Sequence, residues 1–465
     1  MKFENFNLDS GLIDILNGMG FTTPTEIQAK AIPALLSTEN DFIGQAQTGT
    51  GKTAAFAIPL LEKIDLSLDA TQALVLAPTR ELAMQVEEQI RIIGAYKNIK
   101  STCLFGGVDY EPQLRAMKKN PQIVVGTPGR VIDMIKKKVL KLSATKFCVL
   151  DEADEMLTMG FLEDVQLILT KFQKKPQMIM FSATMPKQIV SLINTSFMKP
   201  EIVKIQNKSL SNDDIDQRYF VVRDKHFKEA LARLIDEAQQ MYGIVFCRTK
   251  LETKTVADDL KKRGHLVEVL NGDLGQMERD HAMRMFKTKK VNILVCTDVA
   301  ARGIDVESLT HVFNFGPPRD NESYVHRIGR TGRAGTQGKA YTIIGPGSLN
   351  DIKSIERHIN KTITREKLPE VSSLIRTMVK REVFNARYIK EAIDLKGDDF
   401  NVDPSFDLIQ EEFGHMTKEE LLKLMFVWKF NKEMRHYNNL ADIEKISDSA
   451  KKPKKKKQNA RNRKD

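Results

Sequence analysis

Cysteine and long apolar runs are both scarce in this 465-residue chain, and each scarcity excludes something. The four cysteines, Cys103, Cys148, Cys247 and Cys296, each sit in a short apolar run, and none is in C-x-x-C spacing. Disulfide scaffolds and cysteine-ligated zinc are set aside in favour of buried, reduced thiols in core strands. No apolar stretch approaches the ~18 residues that span a bilayer. The opening Met1-Lys2-Phe3-Glu4-Asn5-Phe6 lacks the apolar core of a signal peptide, so no membrane partner and a cytoplasmic location are expected. What remains is ordinary globular composition, 41% hydrophobic and 29% charged. The length suggests roughly three domains.

The net charge of +11 favours a polyanionic partner. Residues 451–465 hold nine Lys or Arg against one Asp, a contribution of +8, so the other 450 residues carry only +3. The basicity is mostly a tail, read as disordered. It serves either a sequence-blind contact with nucleic acid or plain solubility.

Between residues 40 and 345, short β-branched apolar runs alternate with helical patterns. The first half has runs at 42–44, 73–77, 123–125, 147–150 and 178–181, and the second at 244–246, 267–270, 293–296, 311–315 and 340–344. Continuous apolar strands separated by helices imply parallel sheets covered on both faces, with ligands at the carboxyl ends of the strands. The polar stretch 207–214 reads as a linker. That gives domains at 1–206 and 215–360, followed by a helical extension at 361–450 and the basic tail at 451–465. In the extension, 371–393 and 417–437 read as helices, the second opened by a Thr417-x-x-Glu420 capping box. Its apolar run from Leu421 to Phe430 is too continuous for one face of a solvated helix. It must pack on the rest of the extension, on another subunit or on a different partner.

The chemistry sits just after the strand runs. Ala46-Gln47-Thr48-Gly49-Thr50-Gly51-Lys52-Thr53 follows the first strand and opens a helix, the context a phosphate loop requires, although Ala46 stands where the general pattern has Gly. Backbone N–H groups and Lys52 would neutralise the β/γ-phosphates, and Thr53 would ligate Mg²⁺. Asp151-Glu152-Ala153-Asp154 ends the strand 147–150. Alone it reads equally as an acid-rich helix start. Paired with the loop, it makes Asp151 a metal ligand, through water, and Glu152 the group that orients and deprotonates the attacking water.

With these motifs in this order, the chain resembles the DEAD-box ATP-dependent RNA helicases over roughly residues 3–345. The resemblance implies two tandem RecA-like α/β domains and an RNA-stimulated ATPase that uses ATP and Mg²⁺. Phe3 and Gly20-Phe21-x-x-Pro24-Thr25-x-x-Gln28 resemble the adenine-reading motif. It gives Gln28 the base with Phe21 alongside, while Thr25-x-x-Gln28 is also a capping box. Pro78-Thr79-Arg80, Gly106-Gly107 and Thr127-x-x-Arg130 match RNA-backbone motifs of the first domain; singly, each is a turn or cap signal. Ser182-Ala183-Thr184 either caps the helix after Pro186 or couples nucleotide state to strand separation together with Asp154 and His326.

In the second half, Arg248, Gln276-x-x-Arg279, Thr297 and Gly303 match further RNA contacts, and Asp305 a ribose contact. His326-Arg327-x-x-Arg330-x-x-Arg333 reads alone as a solvated basic face. Within the resemblance, Arg330 and Arg333 are arginine fingers that join Lys52 and Glu152 in catalysis. The first-domain motifs are suited to backbone contact and not to reading base edges, so RNA, single-stranded or duplex, is expected to be bound without sequence specificity. The expected function is local, ATP-driven unwinding or remodelling of RNA; the alternative is an ATP-dependent RNA clamp or assembly scaffold. No RNP-type aromatic signature follows residue 360. The extension loosely resembles those of bacterial cold-shock DEAD-box helicases, some of which dimerise. That adds a homodimer, and ribosome-assembly or RNA-decay factors, to the candidate partners.

Overall fold

The computed structural model describes residues 2–46, 49–205, 214–238, 241–301, 306, 309–332, 337–396, 403 and 405–438. Gln47, Thr48, Gly303, Asp305, Arg333, residues 207–213 and the tail 451–465 lie outside the described residues.

Two parallel seven-stranded sheets organise the chain. The first contains β1 (Phe42–Gln45), β2 (Ala73–Leu76), β3 (Ser101–Leu104), β4 (Ile123–Gly126), β5 (Phe147–Leu150), β6 (Gln177–Ser182) and β7 (Glu201–Lys204), in the order β3-β4-β2-β5-β6-β1-β7. The second contains β8 (Ile215–Val221), β9 (Gly243–Cys247), β10 (Val267–Leu270), β11 (Ile293–Thr297), β12 (His311–Phe315), β13 (Gly338–Ile344) and β14 (Thr364–Glu366), in the order β10-β11-β9-β12-β13-β8-β14. Every pairing is parallel, so each strand must be joined to the next by a crossover, and helices cover both faces. Apolar cores accordingly lie on both sides of each sheet. Val75, Val149 and Phe181 pack on one face of the first and Leu74, Leu150 and Met180 on the other. Val245 and Phe313 face away from Ile244 and Val312 in the second.

The apolar runs pick out five strands in each half, and the sheets have seven. The additional ones are β3, β7, β8 and β14. Three of them are edge strands, and β7 and β14 are largely exposed. Strands open to solvent on a face or an edge have no need of a continuous apolar sequence, which is why Glu201–Lys204 and Thr364–Glu366 do not stand out among the apolar runs. β14 pairs with β8 at Thr364↔Arg218, so the second sheet continues past residue 360.

Cys148, Cys247 and Cys296 are buried free thiols, and Cys103 lies half-buried on the edge strand β3. Beyond the second sheet come helices Val371–Lys396, Phe406–Phe413 and Lys418–Asn438. The last opens with the Thr417–Glu420 box, each residue bonding the other's backbone N–H, at 2.8 and 3.3 Å. It packs against Val371–Lys396, with Phe430 buried and Lys429 paired to Glu382 at 3.2 Å. Leu422, Met425, Val427 and Trp428 stay exposed, Trp428 at 82%.

Candidate nucleotide and RNA-binding site

At the carboxyl end of β1 the chain turns through Gly49 (φ 80°) and Gly51 (φ 85°) into helix Lys52–Lys63. Both glycines are left-handed, and a Cβ on Gly51 would collide with the Gln28 amide. Among the described residues no side chain caps this helix, which leaves its first N–H groups and the positive end of its dipole for an anion. The Lys52 ammonium is buried and, among the described residues, has no hydrogen-bond partner. Burying an unpaired ammonium is costly, and a polyphosphate at the loop mouth would remove that cost.

Thr25 and Gln28 brace the same loop. The Thr25 hydroxyl donates to Thr50 O at 2.8 Å, and Gln28 Nε2 donates to Gly51 O at 3.1 Å. Gln28 Oε1 accepts from Thr25 N at 2.9 Å, so the capping box forms as well. A primary amide has two donor hydrogens and two acceptor lone pairs. One of each therefore remains on Gln28 for a base. Phe21 is half-buried against the adjoining core.

β5 delivers Asp151, and the turn after it places Glu152 at φ 49°, a left-handed conformation rare for a residue with a side chain. Both carboxylates are buried. Burial is the main influence on Asp151 and pushes its pKa up to about 6; Lys52 pulls it back, while Glu152 and Asp154 add to the rise. Asp154 turns to its own domain, where its Oδ2 accepts from Thr184 N at 2.8 Å and Thr184 Oγ1 at 2.9 Å. Ser182 Oγ accepts from Asp154 N at 3.3 Å and donates to Thr184 O at 2.7 Å. The helix after Pro186 receives no side-chain cap. Ser182 and Thr184 are thus tied to the acidic turn, and the capping alternative is set aside.

The predicted RNA-contact residues divide into two groups. Exposed Gly106, left-handed Gly107 (φ 78°) and half-buried Thr127, which does not cap its helix, lie on the first domain, with Gly107 facing Gln276 of the second. Arg130 lies behind them, its guanidinium 4.1 Å above the Tyr110 ring and bonded to Val108 O at 3.2 Å. Thr79 caps helix Arg80–Ile93 through Leu82 N at 3.2 Å. Arg248 is exposed at the end of β9, and Thr297 half-buried at the end of β11.

Arg80, Gln276 and Arg279 form the second group, and they meet carboxylates of the facing domain or of their own helix. Arg80 donates to Asp280 at 3.2 Å while its guanidinium lies 4.7 Å above Phe105. Arg279 donates to Glu81 at 3.2 Å, and Gln276 to Asp280 at 2.8 Å. The dipeptides Arg80-Glu81 and Arg279-Asp280 pair head to tail across the cleft. Sequence reading took Glu81 only as part of the matched stretch 78–82, with no role of its own, and missed Asp280; a signal lay in the adjacent charges of opposite sign that each motif carries.

A third contact joins Glu155 Oε1 to His326 Nδ1 at 3.3 Å. The neighbouring Arg327 is buried, bonded to Asp298 at 2.7 Å and Asn314 at 3.0 Å, so this arginine does not belong to a solvated basic face. Arg330 is half-buried and borders a cavity of about 20 Å³ shared with Glu155, His326 and Asp298.

Comparison with known proteins agrees with this layout. The DEAD/DEAH box helicase family matches residues 25–192, and the helicase conserved C-terminal domain matches 226–335. DEAD-box ATP-dependent RNA helicase CshA of Geobacillus kaustophilus is 46% identical over 80% of this chain and 80% of its own length. The CshA of Bacillus subtilis is 46% identical over 81% of this chain and 76% of its own. Among solved structures, S. cerevisiae Dbp5 bound to RNA and ADP BeF3 superposes with a TM-score of 0.74 at 30% identity, covering 82% of this chain and 99% of that one. Mss116p bound to ssRNA and AMP-PNP gives 0.72 at 30% identity, covering 82% and 81%. The two family models, which together cover more than half of the chain, and the 46% identity to CshA over most of both chains place this chain in the DEAD-box helicase family.

Proposed function

We propose that the chain is an ATP-dependent RNA helicase that grips one RNA strand by its backbone and opens a few base pairs as its two domains close. The observation that carries this is the meeting of the strand ends. Arg80-Glu81 and Arg279-Asp280 pair across the same cleft edge that holds the phosphate loop and the Asp151–Asp154 turn.

The donor set fits a nucleoside triphosphate with Mg²⁺. Lys52 and the loop N–H groups would hold the phosphates, Gln28 and Phe21 the adenine, and Asp305 the ribose. Among the described residues no group of three or more His, Cys, Asp or Glu could hold a metal. Mg²⁺ bound by Thr53, by Asp151 through water and by the phosphates needs no such group. Bound there, nucleotide and cation supply the transferable phosphoryl group and neutralise its charge. Glu152 orients a water and takes its proton, and Arg330 and Arg333 approach from the second domain. Thr79, Gly106, Gly107, Thr127, Arg130, Arg248, Thr297 and Gly303 would contact RNA phosphate and sugar, which carry no sequence information. Because both ligands favour the closed form, each raises affinity for the other.

Closure sets how much duplex can be opened. A base-pair step is worth on the order of 1.4 kcal/mol, with DNA stacking as the proxy, so five pairs cost ~7 kcal/mol, near the most that one closure supplies. Single-turnover strand displacement is expected to succeed on duplexes of ~10 pairs and fail on those of ~30. Yields independent of length would show translocation and overturn local melting.

The exposed apolar side of helix Lys418–Asn438 fits a second copy of the chain, since a large apolar patch beside polar residues marks an interaction site. Sedimentation is expected to show a dimer that Met425→Glu with Trp428→Glu converts to monomer without loss of ATPase activity. A monomeric wild-type chain would remove this reading. Among the described residues no helix is long and apolar enough to cross a membrane. We place the protein in the cytoplasm with its RNA, in ribosome assembly or RNA decay.

A further inference from the structure

We propose that Glu155 is a positioning residue for hydrolysis: it anchors the second domain's His326, and with it the segment bearing Arg330, onto the acidic turn of the first domain. The proposal rests on the helicase reading above.

Helix Ala153–Thr158 carries two buried carboxylates that face opposite ways. Asp154 is consumed by Thr184 and Ser182 inside its own domain. Glu155, the next residue, faces outward and meets His326 at 3.3 Å. Among the described residues it is the first-domain member of the wall of the small cavity at the domain boundary, facing Phe246, Asp298, Ser323, His326, Arg327 and Arg330. A volume of about 20 Å³ has room for roughly one water molecule, so the two surfaces fit closely at this point.

The second-domain side is rigid. Arg327 is pinned to Asp298 and Asn314 beneath Phe246, so helix Asn321–Ile328 cannot rotate freely. His326 is the neighbouring residue, and Arg330 follows in the turn that ends the helix, its backbone N–H bonded to Arg327 O at 3.2 Å. A contact that fixes His326 against the first domain therefore fixes where Arg330 arrives. Without it, the helix would be held to its own sheet and only loosely aimed at the nucleotide, and small misplacements of reacting groups cost large factors in rate.

The charges around His326 give the contact a signature. Burial disfavours its imidazolium, and Arg330 also opposes it. The hydrogen bond and charge of Glu155, reinforced by Asp154, outweigh both and hold its pKa above the ordinary value. Arg327 and Asp298 border the same cavity but neutralise each other. Separation of the two domains would withdraw Glu155. Closure thus takes up a proton where free histidine is largely neutral. The gain is fully present below the ordinary histidine pKa and fades as pH rises through the higher closed-state value.

The test compares the full-length wild type with Glu155→Ala, Glu155→Gln, His326→Ala and the Glu155→Ala/His326→Ala double variant. It measures RNA-stimulated hydrolysis between pH 6 and 9. Closure is read separately, by energy transfer between dyes on exposed positions of the two domains with ADP and beryllium fluoride. The second readout works even if RNA fails to stimulate turnover, so failure of the helicase reading is distinguishable from failure of this one. Glu155→Ala is expected to raise the RNA concentration for half-maximal turnover about tenfold at pH 6.5, the scale of one charge-assisted hydrogen bond, with ADP affinity unchanged. Its closure should lose the pH dependence of the wild type. Glu155→Gln, which keeps an acceptor oxygen, should match wild type at pH 9 and fall below it at pH 6.5. The double variant should be no worse than either single one. Additive losses, or a pH profile of closure identical in wild type and Glu155→Ala, would overturn the proposal.

Discussion

Glu152→Gln is expected to bind ATP and RNA as the wild type does and to turn over at least ~10²–10⁴-fold more slowly, the factor that a positioned general base contributes. The amide has the size of the carboxylate, so the left-handed turn at φ 49° and the burial of the site are kept. The hydrogen bond that Asp151 accepts comes from the backbone N–H of residue 152, at 3.0 Å, and survives any change of side chain. Lys52 and the open helix N-terminus are equally untouched, so nucleotide affinity has no reason to fall. Only the proton acceptor is lost. Removing a carboxylate from a buried acidic cluster should also lower the Asp151 pKa, because Glu152 contributes to its rise. Fluorescent-nucleotide binding and single-turnover hydrolysis, each with and without RNA, separate the two effects. A variant that hydrolyses ATP at the wild-type rate would show that Glu152 is not the base. One that fails to bind would show that it holds the loop together.

How far the sequence reaches can be judged residue by residue. Ala73–Leu76 and Ile293–Cys296 are legible because a strand buried on both faces must be apolar throughout. Thr364–Glu366 is invisible because an exposed edge strand needs nothing but a backbone to pair with. The Thr25–Gln28 and Thr417–Glu420 boxes are legible because capping is local, set by spacings of three. Ser182 and Thr184 offered two local readings, and only their contact with Asp154, some thirty residues away, decides between them. Arg80 and Asp280 are 200 residues apart and Arg279 and Glu81 are 198. Their pairing depends on how two separately folded sheets face each other, which no local pattern encodes. Motif spacing thus reveals what each domain presents at its strand ends. It leaves out which of those groups meet each other when no ligand lies between them. Arg80 and Arg279, both read as RNA contacts, show the consequence.

Arg330→Ala should cut RNA-stimulated hydrolysis by ~10³–10⁵-fold, the range that an arginine finger supplies. At 1.36 kcal/mol per tenfold, this is about 4–7 kcal/mol of barrier. ADP affinity should barely change, because the loop, Lys52 and Gln28 that would hold ADP all belong to the first domain. The substitution also leaves the bonds of the neighbouring Arg327 in place. Arg327, three residues earlier in the cavity wall, keeps its bonds to Asp298 and Asn314, and the Arg330 backbone N–H still donates to Arg327 O at 3.2 Å. Arg330→Lys restores the charge without the planar fork, so it should recover a part of the rate and no more. A mere structural arginine would behave differently. Its loss would loosen the second domain, lower thermal stability and leave the lysine variant no better than alanine. Titration of ADP, thermal denaturation and RNA-stimulated turnover on the three chains distinguish the cases. A loss of ADP affinity equal to the loss of rate would overturn delivery of Arg330 across the cleft. Unchanged turnover would show that charge neutralisation in the closed form comes from elsewhere, with Arg333 the next residue to replace.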